Sequence, residues 1–64
     1  MVISQNIHGA IVISDIIEGY RAEQQYYFFD SIEECINEFC AEFPNADRDD
    51  VTIVDREGIR RFEL

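Results

Sequence analysis

Between Ser31 and Phe43 the apolar residues Ile32, Cys35, Ile36, Phe39, Cys40 and Phe43 recur at i, i+3, i+4, i+7, i+8 and i+11. That spacing lays one continuous stripe along an α-helix. Ser31 can cap the first turn, with Glu34 three residues on to complete a capping box, and Pro44 turns the chain out of the helix at Phe43. The rest of the chain reads as β-structure. Met1 to Ile7 is a short β-prone segment, His8-Gly9 a turn, and Ala10 to Ile17 a strand; Glu18-Gly19 then supplies a hairpin turn into a third strand, Tyr20 to Phe29. After Pro44 a polar loop, Asn45 to Asp50, leads to a strand over Val51 to Asp55, a turn at Arg56-Glu57-Gly58 and a returning strand over Ile59 to Leu64.

The expected order is therefore β-β-β-α-β-β in a single domain spanning residues 1–64. Short connections suit an α+β fold, with a small antiparallel sheet and one amphipathic helix packed on one face. One helix covers only one face of a sheet, yet the strands are apolar on both. Side chains alternate along a strand, so Tyr26 and Phe28 oppose Tyr27 and Phe29, while Val12 and Ile16 oppose Ile11, Ile13 and Ile17. The expected second interface is formed by Ile11, Ile13, Tyr27 and Phe29, closed by a homodimer or a docked partner.

Charge changes this picture most. Fourteen acidic residues face five arginines, with no lysine, for a formal net charge of −9. Residues 30–50 hold −7 of it, as Asp30, Glu33, Glu34, Glu38, Glu42, Asp47, Asp49 and Asp50 against Arg48 alone, whereas residues 51–64 are neutral. Glu34, Glu38 and Glu42 are successive i, i+4 neighbours, and like charges at that spacing each cost a few tenths of a kcal/mol. Glu42 also lies at the helix end where the macrodipole favours a cation. A surface of this kind repels phosphate, which disfavours nucleic acid and anionic membranes as direct ligands and favours a basic protein. The eight acids are accordingly the candidate partner-binding set. The expected function is that of a small acidic binding module, in its sharpest form an inhibitor or nucleic-acid mimic. The alternative is a structural or assembly subunit that associates through the apolar second face of the sheet, its acidity serving only solubility.

Other chemistry finds little support. His8 is the single histidine and adjoins a turn glycine; Ser4, Ser14 and Ser31 have no arrangement with it that spacing supports, and no glycine-rich phosphate loop is present. Neither an enzyme nor a cofactor is expected. Asn45, Asp47 and Asp49 match positions 1, 3 and 5 of a calcium loop, but position 6 is Asp50 rather than glycine and position 12 is Arg56 rather than glutamate. Cys35 and Cys40 have no metal-ligand spacing and suit a reducing compartment as core residues. The start of the chain lacks a signal-peptide pattern, and no apolar run is long enough to span a bilayer, so a cytoplasmic protein is expected.

Overall fold

The computed structural model describes residues 1–54. These form strand β1 (Val2–Gln5), strand β2 (Ile11–Ile17), strand β3 (Tyr20–Tyr26), helix α1 (Ile32–Glu42) and a short strand β4 (Thr52–Ile53). The class is α+β, the described residues forming one helix on one face of a four-stranded sheet. The expected turn over residues 56–58 and strand over residues 59–64 lie outside the described residues.

Two hairpins build most of the sheet. Asn6 organises the first turn: its side-chain oxygen accepts the backbone N–H groups of His8 (2.9 Å) and Ala10 (3.0 Å). Gly9 takes a φ of 87° there, a conformation that costs a glycine little. The second turn is the two-residue Glu18-Gly19 loop, with φ of 52° and 83°. Positive φ at both central positions matches the twist of the flanking strands, and Ile17 faces Tyr20 directly across it.

The sheet order is β3-β2-β1-β4, and here the structure corrects the expected all-antiparallel sheet. The helix connection carries the chain from one edge to the other, so β4 runs parallel to β1, with Val2 opposite Thr52 and Ile3 opposite Ile53. Thr52 N–H donates to the Met1 carbonyl at 2.9 Å and Val54 N–H to the Ile3 carbonyl at 2.8 Å.

The helix starts and stops as its sequence indicates. Ser31 is the N-cap, its hydroxyl oxygen accepting Glu34 N–H at 3.1 Å, and Phe43 is the C-cap. The buried stripe of Ile32, Cys35, Ile36 and Phe39 packs on Met1, Ile3, Ile11 and Ile13, with Phe43, Cys40, Ala22, Tyr26 and Phe29 partly buried around it. Each fully buried aliphatic or aromatic side chain contributes about 1.5–3 kcal/mol through loss of contact with water.

That packing overturns most of the expected second interface. Ile11 and Ile13 are 0 % exposed, because the helix stripe packs on them. β3 ends at Tyr26, so strand alternation does not extend through Tyr27-Phe28-Phe29, and Phe29 packs against the core. Only Tyr27 of the four stays open, at 56 % exposure. The uncovered face belongs instead to Val2, Val12 and Ile16, interspersed with Ser4, Ser14, Glu23, Gln25 and Thr52.

Candidate functional site

The eight acidic candidates divide by the partners of their carboxylates. Glu34 is committed to the helix start: its carboxylate accepts Asp30 N–H at 2.9 Å. This is a displaced capping box, in which the return bond reaches the residue before the cap rather than the cap itself. Glu42 accepts the Gln24 side-chain amide at 3.1 Å, tying the helix to β3. Asp47 uses its carboxylate to accept Asp49 N–H at 3.1 Å, which shapes the loop after the helix.

Asp30, Glu33, Glu38, Asp49 and Asp50 are exposed, and their carboxylates make no ion pair or hydrogen bond among the described residues. Both described arginines are already engaged. Arg21 pairs with Glu23 at 2.9 Å, and Arg48 donates to Asn37 at 2.8 Å. Removing the three acids and three arginines of residues 55–64 leaves eleven acids and two arginines in the described residues, so these hold the whole formal −9. The uncompensated carboxylates lie on the helix and on the loops that bracket it.

Asp15 lies outside the eight acids that the sequence singles out. It lies on β2 with its side chain 15 % exposed, 3.5 Å from the Met1 ammonium, and accepts N–H groups from Asp47 at 3.0 Å and Ile16 at 2.8 Å. Burial alone would raise its pKa, but the hydrogen bonds from Asp47 and Ile16 and the nearby ammonium outweigh that and hold it below the usual value. The Met1 ammonium also donates to the Asp50 carbonyl at 2.8 Å. Asp15 thus joins β2, the start of β1 and the loop after α1, which is a structural task.

On the helix-covered side, Cys35 and Tyr26 are held in their protonated forms. Burial pushes the Cys35 thiol up to about 11, reinforced by Glu38 and Glu34, which suppresses the thiolate needed for nucleophilic or metal chemistry. Burial likewise raises Tyr26 to about 12, helped by Glu42 and Glu38. Cys35 and Cys40 are free thiols. Among the described residues no three His, Cys, Asp or Glu side chains converge as metal ligands, and no helix is long and apolar enough to cross a membrane. The chain matches no protein-family model, no curated protein and no solved structure.

Proposed function

We propose that this chain is a small acidic binding module whose helix, with its bracketing loops, occupies a basic surface of a partner protein. Its sharpest form is a stoichiometric inhibitor that stands in for nucleic acid in a cationic groove. The observation that carries this reading is the set of exposed carboxylates on Asp30, Glu33, Glu38, Asp49 and Asp50, which the described fold does not use for its own bonds. Like-charged neighbours on a helix cost stability, whereas a complementary cationic surface turns the same charges into attraction and steers encounter.

A second reading rests on the uncovered sheet face, where Val2 and Ile16 are 42 % and 68 % exposed and Tyr27, 56 % exposed just beyond β3, donates its hydroxyl to Gln25. There the chain associates with a second copy or an assembly partner through apolar contact.

Capture from an extract of the native host separates the two. Wild type, Glu33→Lys/Glu38→Lys and Ile16→Asp are compared at low and high salt. The acidic-surface reading expects a basic partner that is retained by Ile16→Asp, lost by the double reversal and released by salt. Loss through Ile16→Asp, with retention at high salt, would transfer the function to the sheet. Glu34 is left unaltered because its reversal would also damage the helix cap.

A further inference from the structure

Strand β3 is an edge of the sheet among the described residues. Its seven residues, Tyr-Arg-Ala-Glu-Gln-Gln-Tyr, contain no proline. Because the Glu18-Gly19 turn is a two-residue loop, Tyr20 and Ile17 form a hydrogen-bonded pair, and pairing then alternates along the hairpin. Tyr20, Ala22, Gln24 and Tyr26 thus direct their backbone N–H and C=O groups toward β2. Arg21, Glu23 and Gln25 direct theirs away from it. An edge of this kind is a template for an added strand.

The surroundings of the edge select what would add. Glu23 lies on its open face, and on the helix side Glu42 bonds Gln24 while Glu38 acts on the Tyr26 hydroxyl through its field. Arg21 is the one described cation on this strand, and it is paired with Glu23. A strand laid along β3 would thus pass beside carboxylates on the helix side, while on the open face Glu23 is balanced by Arg21. Alternate side chains of an extended segment point to opposite faces, so the basic residues on its helix side would meet Glu42 and Glu38.

We infer that β3 accepts an extended, lysine- or arginine-rich segment of a protein partner by strand addition, with main-chain bonds at Arg21, Glu23 and Gln25 and charge pairing to Glu38 and Glu42 on the helix side. This rests on the acidic binding reading and gives it a geometry.

The test uses the full chain, isotope-labelled, with an eight-residue peptide of alternating lysine and valine at low salt. The readouts are affinity and amide hydrogen exchange at single residues. Exchange at Arg21, Glu23 and Gln25 is expected to slow on binding. The same peptide N-methylated along its backbone keeps its charge but cannot pair as a strand, so it should bind at least about tenfold more weakly. Gln25→Pro removes one outward donor without altering charge and should weaken binding several-fold; if that variant does not fold, the methylated peptide alone carries the comparison. Equal affinity for both peptides would overturn strand addition, as would perturbation confined to the helix with exchange unchanged at the three amides, though either result leaves the acidic surface standing. No binding of either peptide would remove both. A dimeric sedimentation mass with the three amides protected before any peptide is added would assign the edge to a second copy and overturn the inference.

Discussion

The Tyr26 hydroxyl is buried without a hydrogen-bond partner among the described residues. A buried polar group left unpaired costs about 1–3 kcal/mol, while the ring itself packs usefully against the core. Tyr26→Phe should therefore match wild-type stability or exceed it by about 1 kcal/mol in denaturant unfolding; a loss of that size would mean that the hydroxyl has a partner. Asp15 is the opposite case. Replacing it with asparagine removes an anion that serves two backbone N–H groups and an ammonium, at a cost of about 1–2 kcal/mol at neutral pH. Its folded pKa is depressed, so its contribution is present above the ordinary value of 3.8 and is lost as pH falls through the lower folded value. Unfolding curves for wild type and Asp15→Asn should accordingly converge in acid. Curves that remain parallel down to low pH would assign Asp15 no such role. Neither residue was evident from sequence as a special position: Tyr26 read as one of four aromatics, and Asp15 only falls within the strand Ala10 to Ile17. Both roles depend on segments far apart in the chain, which local pattern does not encode.

At the level of elements, local signals were legible where they are self-contained. Helix α1 carries its own stripe, cap and stop, and all three appear in place. The Glu18-Gly19 hairpin is likewise local. Gly19 adopts a φ of 83° with open space around it, so strain rather than collision governs substitution there. Gly19→Ala should destabilise the protein by about 1 kcal/mol, measured as a lower denaturant midpoint with an unchanged slope; an unchanged midpoint would show that the turn relaxes freely. The direction of β4 was not legible, because a strand of two residues takes its orientation from where the helix crossover delivers it. The assignment of sheet faces failed for a related reason. Alternation separates Ile11 and Ile13 from Val12 and Ile16 but does not say which set the helix covers. The packing of the helix stripe on Met1, Ile3, Ile11 and Ile13 decides that.

For the whole molecule, the acidic patch was visible in composition, but its division into structural and available carboxylates was not. Glu34 and Glu42 look like Glu38 in a helical projection, yet the first holds the backbone of Asp30 and the second holds Gln24. Glu38 lies between these two like-charged neighbours, so Glu38→Lys should raise stability by about 0.5 kcal/mol while impairing binding. That combination distinguishes a surface kept for a partner from one kept for folding. The most direct measurement is the dissociation constant of the purified partner complex against salt concentration, for wild type and Glu33→Lys/Glu38→Lys. If the acidic helix is the binding surface, affinity falls linearly on logarithmic axes for wild type, and both the affinity and its salt dependence are reduced in the variant. An affinity that is indifferent to salt and unchanged by the two reversals would rule that surface out.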